Sequence, residues 1–266
     1  MSLLPGYTVN KDYLAKGGNG TVFTGVRNKD KTPVAIKKIK RMGLGNNDFD
    51  DIPLELEILD MVQEVPGVIK LLDYFCLEDG HYIVLELGPM DLFEWINRRK
   101  SVDEETALYI LGQVIKIICD CWNLGIAHGD VKDENILIDP ITLEIKLIDF
   151  GEAFIIEDEE RKNSKGHKVL RDIHGTRDYA PPEWFLTHEV ALEPLTIWTL
   201  GTLLYSLLCG QPPYDKKEDI TTKEPKWEII NKCDPNTQDI VKGCLTPDPA
   251  QRMTMPQLLQ NPWFRS

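Results

Sequence analysis

Three polar side chains in the segment 128–135 could together transfer a phosphoryl group. Asp130, Lys132 and Asn135 lie close together in the chain, and a second carboxylate, Asp149, opens an Asp-Phe-Gly sequence further along. In phosphoryl transfer a protein mainly supplies position and charge: a carboxylate orients the attacking hydroxyl, a cation steadies the γ-phosphate, and hard oxygen atoms hold Mg²⁺. The residue types and spacing therefore predict a phosphotransferase site, with Asp130 as base, Lys132 as the cation, and Asn135 and Asp149 as magnesium ligands.

A glycine-rich segment near the N-terminus could approach the phosphates of a nucleotide. Gly17, Gly18 and Gly20 lie between two strand-like runs, and glycine lets backbone N–H groups come close to an anion. Taken alone, the segment fits a glycine-rich hairpin without a ligand equally well. Lys37 ends the apolar run 34–37. A lysine in this place is usually a surface residue, but its position after the glycine segment favours a role beside the phosphates.

Glu55 is the candidate ion-pair partner of Lys37. It lies on a helix predicted over Ile52–Gln63, which an early Pro53 introduces. Such a pair would hold the lysine toward the α- and β-phosphates. An exposed helical glutamate is the common alternative, and Glu57 is a second candidate, but the apolar face of the helix fits Glu55 better.

The elements that must position these side chains divide the chain into a β-rich part and a helical part, separated at Gly88-Pro89. Strands are predicted at Thr21–Gly25, Val34–Ile39, Val68–Phe75 and His81–Leu85. Helices are predicted at Glu104–Leu124, Leu195–Cys209, Asn236–Cys244 and Met255–Gln260.

Composition narrows the class of protein. A chain of 266 residues suits two lobes that share a cleft. The net charge of −13 disfavours nucleic acid as a partner and favours basic partners, although solubility explains the acidity equally well. The six cysteines contain no Cys-x-x-Cys pair, so reduced core thiols are expected. The apolar run Leu195–Cys209 is shorter than the ~20 residues that span a bilayer, so no membrane association is expected.

In this order, these elements resemble the signature set of the eukaryotic protein kinase superfamily. Further matches are the segment 175–183, which resembles the substrate-docking loop, Trp198 to Gly201 of the central helix, Arg252 at the position of an arginine paired with Glu183, and Pro262 to Phe264 at the usual domain end. Within the superfamily, segments 132–139, 146–151, 181–184 and 91–93 look most like the Pim family of serine/threonine kinases.

The resemblance implies a two-lobed α+β protein-kinase fold in a single domain, 1–266. A small β-rich N-lobe with one main helix would cover 1–86, a hinge 87–91, and a larger, mostly helical C-lobe 92–266, with the activation segment at 149–183. It also implies ATP and Mg²⁺ as cofactors and the activity of a non-specific serine/threonine protein kinase.

The resemblance also assigns residues to the two substrates. In ATP binding it implies Leu14, Gly17, Gly18, Gly20, Val22, Ala35, Lys37, Glu55, Glu86, Leu87 and Leu137. Leu85 would be the gatekeeper, and His128 and Phe150 would join Leu59 and Leu71 in a stacked apolar spine. Asp91, Glu94 and Glu134 match acidic positions that recognise arginine upstream of the phosphorylated residue, and guanidinium groups do seek paired carboxylates. A solvated acidic rim is the alternative.

The sequence departs from the kinase pattern at four places. Ala15 replaces the first glycine of the phosphate loop, which a strand end tolerates. Thr196 stands where most kinases have an aspartate that supports the catalytic loop, an absence that Pim kinases share. The segment 87–91 is shorter than the Pim hinge, so the resemblance does not predict the geometry of the adenine site. Gly129 replaces the arginine that normally grips a phosphate in the activation loop.

The change at Gly129 predicts activity that does not depend on phosphorylation of Ser164 or Thr176. Thr176 is instead expected to hydrogen-bond Asp130 and Lys132, as a further catalytic residue.

Two other functions stay open. His128-Gly129-Asp130 is the spelling of many small-molecule kinases, but these usually lack the docking loop and Arg252. A pseudokinase acting as a binding module is the second, although every charged catalytic position is filled. The protein is expected to be a monomer that acts on basic proteins or peptides in the cytoplasm, with the nucleus as an additional location.

Overall fold

The computed structural model of the chain describes residues 4–18, 20–40, 52–156, 169–170 and 179–265. The first part of this structure is one antiparallel sheet of five strands in the order β1-β2-β3-β5-β4, with helix α1 beside it. These elements are β1 (Tyr7–Gly17), β2 (Gly20–Arg27), β3 (Pro33–Ile39), α1 (Leu54–Met61), β4 (Leu71–Leu77) and β5 (Gly80–Glu86).

Successive side chains of β3 alternate between the two faces of the sheet. Val34 and Ile36 are fully buried in a small core formed within the sheet. Lys37, between this core and the rest of the molecule, pairs with Val22 of β2 and Ile83 of β5. Because successive strand residues point to opposite faces, Lys37 is directed away from that core and toward α1.

The second part is mostly helical and contains the larger core. Its helices are α2 (Leu92–Arg99), α3 (Glu104–Asn123), α4 (Pro182–Thr187), α5 (Leu192–Cys209), α6 (Pro235–Cys244) and α7 (Met255–Leu259). The apolar face of α3 and nearly the whole of α5 lie in this core. By length and composition α5 could cross a membrane, but 78% of it is buried inside the protein, so it is a core helix.

Short strand pairs hold the loops that carry the candidate site. The strands are β6 (Ile126–Ala127), β7 (Ile136–Ile138), β8 (Ile145–Leu147), β9 (Phe154–Ile155), β10 (Val169–Leu170) and β11 (Val190–Ala191). They pair as β6 with β9, β7 with β8, and β10 with β11, all antiparallel. The loop between β6 and β7 therefore lies next to the loop that follows β8.

The α+β architecture predicted from the sequence is confirmed, and most predicted elements overlap observed ones. The strand predicted at Val68–Phe75 is wrong in its first half. Val68 forms a bridge to Leu147 of β8, and Ile69 donates to the Leu147 carbonyl at 3.0 Å, so this apolar run belongs to the larger core. The helix predicted over Ile52–Gln63 is shorter, because it begins after Pro53 and ends before Val62. The six cysteines lie in the described part and form no disulfide there.

Candidate active site

The glycine-rich hairpin joins β1 to β2, where Gly17 pairs with Gly20. Gly20 has φ +143°, and a Cβ there would lie 2.5 Å from the Lys38 carbonyl oxygen, so the close approach of β2 to β3 requires glycine. For Gly17 and Gly18, no atom of the residues that the structure describes lies within 4 Å of where a Cβ would be. Packing therefore does not explain why these two positions are glycine. The space beside them could hold a ligand above the sheet.

Lys37 lies at the centre of a buried charge cluster. Its Nζ is 2.6 and 2.7 Å from the two carboxylate oxygens of Glu55 and 2.7 Å from Oδ1 of Asp149. Glu55 is buried on α1 and Glu57 is exposed, so the helix presents Glu55 to the lysine. Strand β3, helix α1 and the loop after β8 thus meet at one ammonium group.

The charged groups in this cluster shift one another's pKa values. Burial favours the neutral form of Lys37, but the Glu55 and Asp149 carboxylates outweigh it and hold the pKa of Lys37 above its ordinary value. Burial raises the pKa of Glu55, whereas the contact with Lys37 overcomes burial at Asp149 and lowers its pKa. Two carboxylates share one lysine, so the cluster favours the approach of a further cation.

The loop between β6 and β7, residues 128–135 and called the catalytic loop below, directs two donors at one oxygen of Asp130. Lys132 Nζ lies 2.7 Å from Asp130 Oδ2, and Asn135 Nδ2 donates to the same oxygen at 2.9 Å. Asn135 Nδ2 also donates to the Asp130 backbone carbonyl at 2.8 Å. The second carboxylate oxygen of Asp130 takes part in none of these bonds, and an acceptor hydroxyl could use it.

His128 fixes the backbone on both sides of this loop. It is buried, and its Nε2 donates to the Ile148 carbonyl at 2.9 Å while Nδ1 accepts the Asp130 N–H at 3.3 Å. Burial lowers the pKa of His128, which agrees with a neutral ring in this tautomer. The ring also meets Phe150 edge-on at 4.8 Å between centroids. Two of the four predicted spine residues, His128 and Phe150, are therefore in contact.

Asn135 and Asp149 are the residues that could hold a metal ion. The N–H of Ile148 donates to the Asn135 carbonyl at 2.9 Å, which places Asp149 beside the catalytic loop. Since Asn135 Nδ2 is engaged with Asp130, its amide oxygen is available, and only Oδ1 of Asp149 contacts Lys37. Hard oxygen atoms from one amide and one carboxylate suit Mg²⁺, which keeps waters and phosphate oxygens as its other ligands. Within the described ranges, no group of three or more His, Cys, Asp or Glu side chains forms a metal cage.

Gly129 brings the segment after Asp149 against the catalytic loop. Its φ is +78°, and a Cβ would lie 2.4 Å from the Glu152 carbonyl oxygen. A larger residue would have to shift Glu152 and adopt a left-handed conformation that L side chains rarely take. Glycine is thus a packing requirement in this structure as well as a departure from the kinase pattern.

The connection between β5 and α2 contains the predicted hinge residues. Leu87 is partly exposed, and Gly88 packs so closely on Leu137 that a Cβ would lie 2.3 Å from its Cδ1. The Glu86 carboxylate accepts bonds from Lys146 Nζ at 2.6 Å and from the Lys70 N–H at 2.8 Å. The Glu86 side chain is therefore engaged elsewhere, and any contact it makes with adenine would use its backbone.

The remaining residues predicted at the ATP site lie on the five-stranded sheet. Val22 pairs with Lys37, Ala35 pairs with Leu85, and Leu14 is largely exposed near the end of β1. A cavity of about 470 Å³ lies beside the hinge and is lined by Pro66, Gln113, Ile117, Leu137 and Lys146 among others. Neither Lys37 nor Asp130 nor Asp149 lines it, so it is separate from the charged centre.

The three acidic residues predicted to bind substrate lie on neighbouring elements. Asp91 caps α2 by accepting the Glu94 N–H at 2.6 Å, and the Glu94 carboxylate contacts Arg98. Glu134 lies in the 3₁₀ turn Asp133–Asn135, which packs against α2, and its carboxylate is 3.7 Å from Lys132. Asp91 thus has a structural role as a helix cap, whereas Glu94 and Glu134 are exposed.

Arg252 fixes the segment that follows Tyr179. Its guanidinium makes two bonds of 2.8 Å to the Glu183 carboxylate, in a fully buried position. It also donates to the carbonyls of Thr246, Pro194 and Pro247 and lies over the Trp198 ring. The predicted Arg252–Glu183 contact is therefore present. Ser164 and Thr176 lie outside the described residues.

Sequence reasoning missed Asp133, a further carboxylate inside the catalytic loop. Asp133 is buried and its Oδ1 accepts the Glu134 N–H at 3.0 Å. Asp133 lies within the segment 128–135, but its residue type and spacing do not indicate that its side chain is buried.

Comparison with known proteins agrees with this geometry. The family model "Protein kinase domain" matches residues 8–264. The chain is 36% identical over 275 residues to the serine/threonine-protein kinase pim-2 of Danio rerio, covering 97% of this chain and 84% of the relative. It is 33% identical to the serine/threonine-protein kinase prk-2 of Caenorhabditis elegans, covering 96% of this chain and 57% of the relative. It is 28% identical to the calcium-dependent protein kinase 19 of Arabidopsis thaliana, covering 97% of this chain and 47% of the relative. The chain therefore belongs to the protein kinase family, and within it to the Pim-like eukaryotic kinases.

Proposed function

We propose that the chain transfers the γ-phosphate of Mg-ATP to serine or threonine hydroxyls of basic proteins or peptides. The observation that carries this proposal is the junction of two charged groups: the Lys37, Glu55 and Asp149 cluster, and the Asp130, Lys132 and Asn135 loop. One could hold a nucleotide and the other an acceptor hydroxyl. The names of the two Pim-like relatives support the serine/threonine acceptor.

In this mechanism the acceptor oxygen forms a bond to the γ-phosphorus as the bond from that phosphorus to the ADP oxygen breaks. Asp130 orients the hydroxyl and receives its proton, while Lys132 stays next to Asp130 and balances charge on the transferred group. Lys37, held by Glu55, contacts the α- and β-phosphates. When bound, Mg²⁺ neutralises phosphate charge and supports the leaving group, and Asn135 and Asp149 are the residues that would hold it.

We further propose that the substrates carry arginine near the phosphorylated residue. Glu94 and Glu134 are exposed carboxylates on elements that pack together beside the catalytic loop. A guanidinium can bind such carboxylates through two parallel bonds. The net charge of −13 would also attract basic polypeptides over longer distances.

Activity is proposed to be independent of phosphorylation at Ser164 or Thr176. The arginine that receives an activation-loop phosphate in most protein kinases is replaced by Gly129, and a side chain at that position would meet the Glu152 carbonyl. Phosphatase treatment, checked for completeness by mass spectrometry, should leave the rate of peptide phosphorylation within about twofold of that of the untreated enzyme. The reason is that a phosphate on the activation loop would have no arginine at position 129 to bind, so its removal breaks no such contact. A loss of activity that is restored on rephosphorylation would contradict this proposal.

A positional-scanning peptide library tests activity and specificity together. With Mg-ATP we expect transfer to serine and threonine, little transfer to tyrosine, and selection of arginine at upstream positions. The same preparation is then offered choline and aminoglycoside acceptors. Transfer to these acceptors without transfer to peptides would favour the small-molecule kinase that the His128-Gly129-Asp130 spelling suggests.

A further inference from the structure

The turn between α2 and α3 contains a serine with arginine residues directly before it. Ser101 follows Arg98, Arg99 and Lys100, so two arginines stand three and two residues upstream of its hydroxyl. This run of three cations interrupts a chain whose net charge is −13. One other serine, Ser164, has an arginine at the third upstream position, but it has lysine in place of the second arginine. Ser101 therefore matches the arginine preference proposed above.

The residues around Ser101 lie on the surface. All five residues from 97 to 101 are exposed, helix α2 ends at Arg99, and Lys100 caps it in a left-handed conformation. The anchored part of the chain resumes at Val102, whose N–H donates to the Leu207 carbonyl at 3.0 Å. Exposed helix ends open more readily than helix interiors. The last turn of α2 and Ser101 can therefore be presented together as a short extended segment.

The position of α2 indicates which copy of the chain would modify Ser101. Asp91, the N-cap of α2, forms a bridge with Leu137 of β7, directly after the catalytic loop. The eight residues of α2 then extend about 12 Å to the turn that holds Ser101. Ser101 thus lies a helix length away from the end of its own catalytic loop, and a second copy is the source of phosphate that this geometry favours.

The first of these arginines already contacts a carboxylate that is proposed to bind substrate. Arg98 Nη2 forms an ion pair with Oε1 of Glu94, one helical turn earlier. A phosphate on Ser101 would carry about two negative charges. Three residues of chain span at most about 10 Å, so the long side chain of Arg98 can reach this phosphate. The carboxylates at 103–105 repel the phosphate, which therefore turns toward the arginines and competes with Glu94 for Arg98.

We propose that Ser101 is a phosphorylation site that a second copy of the chain modifies, and that its phosphate draws Arg98 away from Glu94. The Ser101 oxygen forms a bond to the γ-phosphorus of ATP as the bond from that phosphorus to the ADP oxygen breaks. The hydroxyl proton passes to Asp130 of the second copy. The modification frees Glu94 for the arginine of a substrate. This inference rests on the proposed function, because it uses the same reaction and the same preference for arginine.

The test uses Asp130→Asn as the acceptor and Ser101→Ala as the enzyme, so that phosphate on Ser101 can come only from another molecule. The two proteins are incubated with Mg-ATP and a serine peptide that contains arginine, and phosphate on Ser101 is measured by mass spectrometry. A second acceptor also carries Arg98→Gln and Arg99→Gln. The matched control acceptor carries Lys116→Gln, since Lys116 is likewise an exposed cation paired with a carboxylate four residues away.

We expect phosphate on Ser101 in the acceptor and in the Lys116→Gln control. Replacing the two arginines should lower this phosphorylation by about tenfold, because the carboxylates of the enzyme lose the guanidinium groups that they bind. The consequence for specificity is measured on the unmodified protein after phosphorylation of Ser101, with identically treated Ser101→Ala as its control. The preference for arginine-containing peptides should be about two- to threefold higher in the phosphorylated protein, the range of one exposed ion pair.

Phosphorylation of the peptide without phosphate on Ser101 would overturn the site while leaving the proposed function intact. Equal phosphorylation of Ser101 with and without the two arginines would overturn it as well, and so would phosphate on Ser101 when Asp130→Asn is incubated alone. An arginine preference that does not change on phosphorylation would overturn the competition for Arg98. Absence of phosphate from both the peptide and Ser101 would contradict the proposed function, and this inference with it.

Discussion

Lys37 in the cleft and Arg98 on helix α2 both contact a glutamate, but their surroundings are opposite. The side chains of Lys37 and Glu55 are 6% and 7% exposed, whereas those of Arg98 and Glu94 are 62% and 46% exposed. Water cannot replace either partner in the cleft, so removal of one leaves the other charge unpaired. On α2 water and salt compete with the pair, which is therefore worth little to stability.

This difference separates fixed parts of the site from adaptable ones. The buried pair holds Lys37 in one position for a nucleotide, as positioning for phosphoryl transfer demands. The exposed pair can open at low cost, so the guanidinium of a substrate could displace Arg98 from Glu94. Burial, more than the identity of the charges, assigns each pair its role.

Among the variants of these ion pairs, Lys37→Met should have the largest effect. Loss of a preorganised cation from the site should lower kcat/KM by roughly 10²–10³-fold. The variant should also lose roughly 3 kcal/mol or more of stability in urea unfolding, because Glu55 remains buried without its partner. The double variant Lys37→Met, Glu55→Leu should recover stability and not activity.

The matched control for this variant is Lys38→Met on the same strand. Lys38 contacts Asp79 in a partly exposed pair, so its loss should cost about 1 kcal/mol or less. Equal destabilisation by the two lysine variants would show that burial does not distinguish the pairs.

The variant Arg252→Met tests whether removing one partner of a buried ion pair also destabilises the protein far from Lys37. The free energy of unfolding should fall by roughly 3–5 kcal/mol, since Glu183 loses both bonds in a buried place. Lys226→Met is the control, because Lys226 and Asp215 form a pair that is 61% and 65% exposed. Chemical denaturation of both variants measures the difference. A similar small loss in each would contradict the argument from burial.

Glu94→Gln should have the smallest effect, confined to substrate choice. We expect the preference for arginine-containing peptides to fall by about three- to tenfold, the range of one exposed charge pair, with stability unchanged within about 0.5 kcal/mol. Arg98→Gln should maintain or strengthen that preference, because it removes the competitor for Glu94. Peptide kcat/KM ratios measure both. A weaker preference in Arg98→Gln would argue for a structural role of the pair.

The sequence was most informative where residue type and spacing carry the chemistry. Asp130, Lys132, Asn135 and Asp149 stand out because phosphoryl transfer needs those groups on adjoining loops, and the structure brings them together. The preference for Glu55 over Glu57 followed from helical periodicity, which also decides which of them reaches Lys37 in the structure.

The rest depends on packing between distant segments. Val68 and Ile69 have the composition of a sheet strand, yet their partner is β8, and no local pattern indicates that choice. Nor does the sequence disclose that the carboxylate of Glu86 turns to Lys146. Each is settled by a residue far away in the chain.

The most direct test of the proposed activity compares the unmodified protein with Asp130→Asn in a radiolabelled ATP assay on a serine peptide that contains arginine. Asp139→Asn is the control, since Asp139 accepts the N–H groups of Ile141 and Thr142 in a surface turn. We expect phosphoserine from the unmodified protein and the control, and a turnover lower by roughly 10²–10⁴-fold in Asp130→Asn. Equal turnover in all three proteins, or no phosphopeptide from any of them, would contradict the account.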